Sequence, residues 1–313
     1  MLLSATWLAL SLLFAPQSTP PASDSDCFSI YYSQPRDLPR ARTCFERKVA
    51  GDSCASGSPS LDRLYLAVMY LDAQGGPADL ARASDLFNGC FKDAGVQQIL
   101  EEVKARQAGK PPGTHPLDVC DDIGGTTFDL QACQNVRANR MRSHAAEIEK
   151  NVLARLDVQG RELYAKSTEA FKNFAQSDAR RAADKYRGGS LSRVTLGQRQ
   201  NELEEARLAG VEKLFDYEPD ATHDARAFAK ADRSLNAAYQ KALKGQDDEG
   251  RKLLQAAQRA WISYRDAEAA LHRYLFASKF GDSAVDIDVR TKLTMDRTKD
   301  LVQMKSNKDD RGY

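Results

Sequence analysis

The sequence predicts an all-α protein in which a disulfide-stapled helical hairpin repeat region is followed by two tandem three-helix antiparallel domains. Three observations predict it. All six cysteines fall in the first half of the chain, apolar residues recur every three or four positions through the second half, and one pattern of residues returns there after 90 positions.

Taken in order, Leu2 to Ala15 is an apolar run too short to span a bilayer and of the length of a signal-peptide core. Residues 1–22 are therefore expected to be a cleaved signal peptide, although no Lys or Arg precedes the run. Asp24-Ser25-Asp26 before Cys27 does not suit lipid attachment. In an exported chain the even set Cys27, Cys44, Cys54, Cys90, Cys120 and Cys133 favours disulfides over buried thiols. Proximity pairs Cys120 with Cys133. Two further bridges fall among the other four in a pairing the sequence leaves open.

Residues 23–108 read as short helices closed by turns. Leu64-Tyr65-Leu66-Ala67-Val68-Met69-Tyr70-Leu71, the turn Gly75-Gly76-Pro77, and Ala78 to Phe87 describe an antiparallel helix pair. This stretch resembles the Sel-type, tetratricopeptide-like repeat, which implies protein–protein scaffolding. One unit fits well, so disulfides are expected to substitute for missing neighbours; a generic stapled hairpin is the plainer alternative. Residues 109–116, dense in Pro and Gly, read as a linker.

Beyond it, helices are expected over about 128–157, 161–186 and 192–216 (domain 117–217), and over 223–244, 249–279 and 285–305 (domain 218–305), before a disordered tail at 306–313. An offset of 90 residues lays Gly160 on Gly250, Phe171 on Trp261, Phe174 on Tyr264, Leu203 on Leu293, Arg207 on Arg297 and Val211 on Leu301 without gaps. The two sets read as copies of one unit, each a helix followed by a helix pair.

The blocks Ala231 to Tyr239, Ala256 to Glu268 and Leu293 to Leu301 resemble, in their order and spacing, the LprI-type lysozyme-inhibitor domain, over about 225–304. The set at 117–217 looks like a diverged relative, with Cys120 and Cys133 where that family has an early cysteine pair. Ala269 stands where a cysteine often follows the motif, so a bridge typical of the family is absent from the second copy. The resemblance implies a bacterial envelope protein, periplasmic or anchored there, some of whose relatives inhibit lysozyme. Within the motif, Trp261 and Tyr264 share a face with Leu254 and Leu271 and are read as core. Arg265, Asp266 and Arg297 are read as structural too: Arg265 is placed to stack on Trp261 or to pair with a carboxylate of the third helix.

The candidate contact surface is the second hairpin tip, where Asp282, Asp286 and Asp288 would suit a basic protein such as a lysozyme. The same carboxylates also suit the opening of a helix. The first tip carries Lys185, Arg187, Arg193 and Arg199 instead, so the copies are not expected to share a partner. Lys+Arg number 45 against 44 Asp+Glu, and basic residues do not interleave with aromatics, which argues against nucleic acid as a partner. No membrane span is expected after signal cleavage. His115, His144, His223 and His272 lack partners at metal-ligand spacing, and no nucleophile or phosphate-loop pattern occurs, so no metal, cofactor or catalysis is expected. The expectation is an inhibitor or immunity protein that occludes a peptidoglycan hydrolase; the rival is an envelope adaptor docking through its repeat region.

Overall fold

The computed structural model describes residues 26–309 apart from 34, 53, 55–58 and 124–126. The expected signal peptide and residues 310–313 lie outside the described residues. Every element is helical: α1 (Cys27–Tyr31), α2 (Leu38–Val49), α3 (Leu61–Leu71), α4 (Leu80–Asp85), α5 (Ala94–Gln107), α6 (Val119–Asp122), α7 (Thr127–Arg155), α8 (Val158–Ala183), α9 (Leu191–Glu212), α10 (Ala225–Lys244), α11 (Asp248–Phe280) and α12 (Asp282–Asp309). Aspartate carboxylates accept a backbone N–H at the starts of α1, α2, α4, α5, α6, α8, α10 and α11. Eight of the 44 acidic residues, which look scattered in the sequence, are thus committed to helix N-termini, where the amides and the dipole favour them.

The N-terminal body is built around α3, which is apolar on all sides from Leu64 onward and buried from Leu61 to Leu71 except at Asp62. Phe28, Tyr31, Tyr32 and Phe45 of the first two helices and their connection pack edge-on or stacked around Tyr65. The bridges are Cys27–Cys44, Cys54–Cys90 and Cys120–Cys133. The pairing read from proximity holds, and the other two tie α1 to α2 and the chain before α3 to the end of the α4 turn. Gly75 (φ 75°) lets the turn after α3 pass so close to α2 that a Cβ there would meet the Leu38 carbonyl oxygen at 2.3 Å. The second helix of this hairpin is shorter than its periodicity suggests, because the chain leaves α4 through Asn88 and left-handed Gly89.

The Pro/Gly stretch 109–116 is an exposed loop, yet the chain returns from it into the same core. Leu117 N–H donates to the Asp72 carboxylate at 2.6 Å, Gln74 donates to the Leu117 carbonyl, and the Tyr32 hydroxyl donates to Asp118. Val119, Cys133 and Val136 are buried with the α3 cluster. The first core therefore reaches past the linker into the start of α7, whose far end carries Ile148 and Val152 into a second core.

That second core belongs to a six-helix bundle. The expected sets α7–α9 and α10–α12 are both present, but they do not close separate cores: the most extensive helix contact in the molecule joins α8 to α11, across the two sets. The two run antiparallel, with Ser167 opposite Glu268 and Asp157 opposite Tyr274. Phe174 and Tyr264, positions 90 residues apart, stack on each other with centroids 6.0 Å apart. Each set leaves one apolar face of its middle helix uncovered, and the other set covers it.

Candidate partner-binding site at the α11–α12 hairpin

The residues of the Trp-Tyr-Arg-Asp motif are positioned by α11. Trp261 and Tyr264 are buried against α8, and burial pushes the Tyr264 hydroxyl up to about 12. The Arg265 guanidinium lies 5.1 Å from the Trp261 ring, but its carboxylate partner is the adjacent Asp266, and Asp266 in turn bonds Arg290 of α12. Arg297 is fully buried and donates at 2.8 Å to Asp178, an equally buried carboxylate of the first set. Burial alone would raise the Asp178 carboxyl; Arg297, Arg181 and Arg199 outweigh it and hold it well below the usual carboxylate range.

A matching clasp runs the other way, from Arg207 of α9 at 2.9 Å to Glu268 of α11. Burial opposes ionisation of Glu268 as well, and Arg207, His272 and Ser167 overcome it. Arg207 and Arg297 stand 90 residues apart, as do Asp178 and Glu268. Sequence reasoning paired the arginines and missed their carboxylates. The signal was the same offset applied to acidic residues.

At the hairpin itself, Gly281 (φ 88°) turns the chain and projects Asp282, whose side chain is 70% exposed, with Ser283 and Ala284 beside it. Asp286 is half-buried, bonded to Arg290 at 2.9 Å and 3.6 Å from Arg273. Asp288 corrects the expectation of three outward carboxylates: its side chain is wholly buried, because it lies nearly two helical turns inside α12 on the face that meets the segment entering α10. It accepts from the Tyr217 hydroxyl at 2.8 Å, the Asp220 N–H at 3.1 Å and Lys292 at 3.0 Å, and His223 Nδ1 lies 2.7 Å away. Burial opposes its ionisation, and these hydrogen bonds lower its pKa despite that.

Asp288 is thus an anchor. It holds residues 217–223 against the hairpin, with the Tyr217 ring packed on His272, Phe276 and Phe280. Exposed Asp216, Glu218 and Asp220 lie in this stretch, read from sequence only as a connector, at the same end of the bundle as exposed Asp282. Arg273 sits between Asp282 and Asp286 and Arg290 bonds Asp286, so the acidic edge is interrupted by two guanidiniums.

The first tip differs. Arg187 is shared by Asp184 and Asp247, and Arg199 by Asp178, Glu202 and Asp300, so its basic residues face carboxylates of their own chain; Arg193 is exposed. Among the described residues no group of three or more His, Cys, Asp or Glu is placed to hold a metal ion, and no helix is long and apolar enough to cross a membrane. Three disulfides suit an extracytoplasmic, oxidising compartment.

Compared with known proteins, residues 223–301 match the family described as Lysozyme inhibitor LprI. That match covers α10, α11 and most of α12. No curated protein and no solved structure matches the chain.

Proposed function

We propose, from the lysozyme-inhibitor match over residues 223–301, that this is an exported bacterial envelope protein that blocks a peptidoglycan-cleaving muramidase, as an inhibitor or an immunity partner, by binding and without chemistry of its own. The observation that carries the reading is that the matched segment contains the α11–α12 hairpin, whose exposed Asp282 lies at the same end of the bundle as exposed Asp216, Glu218 and Asp220. Local anionic groups on a nearly neutral molecule steer and orient a basic partner without attracting every cation nearby. Asp286 belongs to the edge of this surface, and Asp288 supports it from behind. Residues 117–217 are, in this reading, a diverged copy of the matched unit, as the 90-residue spacing of both Arg–carboxylate clasps supports.

The test is a turbidity assay of cell-wall lysis by several host and bacterial muramidases, with purified full-length protein titrated in. The expected result is stoichiometric loss of lysis by at least one of them, and weakening of about tenfold or more when Asp282, Glu218 and Asp220 are replaced by Ser, with the helical circular dichroism unchanged. Absence of inhibition across the panel would leave the adaptor reading. That second reading draws on Phe91, a 66% exposed aromatic on the N-terminal body.

A further inference from the structure

The joint between α7–α9 and α10–α12 is self-complementary. The clasp from Arg207 to Glu268 returns 90 residues on as the clasp from Arg297 back to Asp178, with the roles of the two sets exchanged. Phe174 and Tyr264 stack on each other from equivalent positions of the two middle helices. Asp157, which caps α8, accepts from the Tyr274 hydroxyl near the end of α11, and the counterparts of those two residues, Asp247 and Asp184, are bridged by Arg187. The apolar clusters follow the same rule. Val152, Tyr164 and Val211 lie with residues from the second half of α11, and their counterparts Ala242, Leu254 and Leu301 with residues from the second half of α8. A joint in which residue i meets j, and the counterpart of j meets the counterpart of i, has the geometry of a two-fold dimer interface, here folded within one chain.

We propose that the same joint also forms between two copies of this chain, α10–α12 of each packing on α7–α9 of the other, with residues 217–224 as the hinge. Exchange of this kind re-forms every contact that crosses the joint, so the exchanged pair gives up only what the hinge itself holds. The hinge is non-helical from Tyr217 to Asp224. Pulled straight it reaches about 26–29 Å, enough to pass from one chain to a neighbour. Among the described residues no extensive helix contact joins α10, α11 or α12 to α1–α6. The unit can therefore change partners without disturbing the disulfide-bonded body.

What favours the monomer is the grip of Asp288 on the hinge. Straightening residues 217–224 pulls Asp220 and His223 off α12, which forfeits the 3.1 Å bond from the Asp220 N–H and the 2.7 Å contact with His223 Nδ1. The balance between the two forms is thus set by one buried carboxylate and by the chain concentration, not by the strength of the joint, which is the same in both. An exchanged pair carries two α11–α12 hairpins on one particle. The inference goes beyond the inhibitor reading and is read from particle mass, so each can fail without the other.

The experiment mixes two full-length variants, Arg207→Glu and Glu268→Arg, refolds them together from urea with the disulfides intact, and reads the products by sedimentation velocity and native mass spectrometry. Each change alone sets like charges against each other across the clasp of its own chain. In the exchanged pair one clasp is restored and the other is the same ion pair reversed. A heterodimer of the two variants is expected, exceeding the dimer formed by either alone about tenfold or more. Arg207→Glu combined with Glu268→Arg in one chain is the control, and is expected to fold as a monomer. Two further full-length variants leave the clasp untouched. Asp288→Asn should raise the dimer fraction, and removal of residues 218–221, which strains the closed hinge, should give a dimer with unchanged helical circular dichroism. A mixture that yields no heterodimer although the control folds would overturn the proposal. If the control does not fold, the shortened hinge decides: a dimer supports exchange, and a folded monomer or an unfolded chain overturns it.

Discussion

The N-terminal body and the six-helix bundle hold themselves together by different means. The body has a small core around one helix buried on nearly all sides, and three disulfides close loops of 17, 36 and 13 residues within it. The bundle has longer helices and no bridge beyond the start of α7; its two sets are joined by aromatic stacking of Phe174 on Tyr264 and by two buried Arg–carboxylate clasps that cross between them. A short, loop-rich region buries too little apolar surface to stand alone and gains by restricting its unfolded chain. The bundle buries enough, and uses charge to fix how its halves meet.

Reduction should separate the two regions most sharply. Each bridge is worth about 2–4 kcal/mol, so a strong thiol reductant is expected to melt the N-terminal body while α8 to α12 stay folded. Thermal circular dichroism combined with hydrogen exchange would show this as an early transition confined to residues 26–136. Equal loss in both regions would break the comparison.

Arg297→Ala or Asp178→Ala is the reciprocal test. Asp178→Ala leaves the fully buried Arg297 without this carboxylate, which costs about 3–5 kcal/mol, whereas in Arg297→Ala the Asp178 carboxylate keeps Arg181 and Arg199 and the cost is smaller; both are read as a lower urea midpoint of the bundle alone. The double replacement Asp178→Leu with Arg297→Met should cost less than Asp178→Ala, because the fully buried Arg297 is no longer stranded. Arg199 keeps Asp300 and Glu202, while Arg181, 10% exposed, loses the Asp178 carboxylate and carries what remains of the cost.

Acid gives the smallest and most graded contrast. Asp178, Glu268 and Asp288 have folded pKa values depressed below the ordinary 3.8 for Asp and 4.5 for Glu. Their stabilisation is complete above those ordinary values and is lost as pH falls through the lower folded ones. In the N-terminal body burial pushes the Asp62 carboxyl up, and the lowered carboxyls of Asp52 and Glu102 are 36% and 20% exposed, so water screens their pairs and protonation there does less harm. Denaturation followed from pH 6 downward should show the bundle weakening first; a body that fails before the bundle would contradict this.

The helical periodicity was enough to foresee α10, α11 and α12 to within a few residues, and proximity was enough for Cys120–Cys133. Both are local features. What the sequence hid is non-local. Asp178 and Glu268 look like any surface acid until α8 and α11 are brought together, since a carboxylate's burial depends on which helix covers it. Asp288 sits six residues from the hairpin turn and reads as part of the tip, yet its position on α12 turns it toward Tyr217. The Pro/Gly stretch marked a loop correctly but not the end of a core, because Leu117 and Asp118 bond back to α3 and its turn.

Hydrogen–deuterium exchange of the full-length protein, alone and with a saturating muramidase that it inhibits, bears most directly on the claim that the α11–α12 end is where it engages its target. New protection is expected over residues 213–224 and 281–290, with the N-terminal body unchanged. Protection confined to that body, around α3 to α5, with the hairpin exchanging as in the free protein, would contradict it.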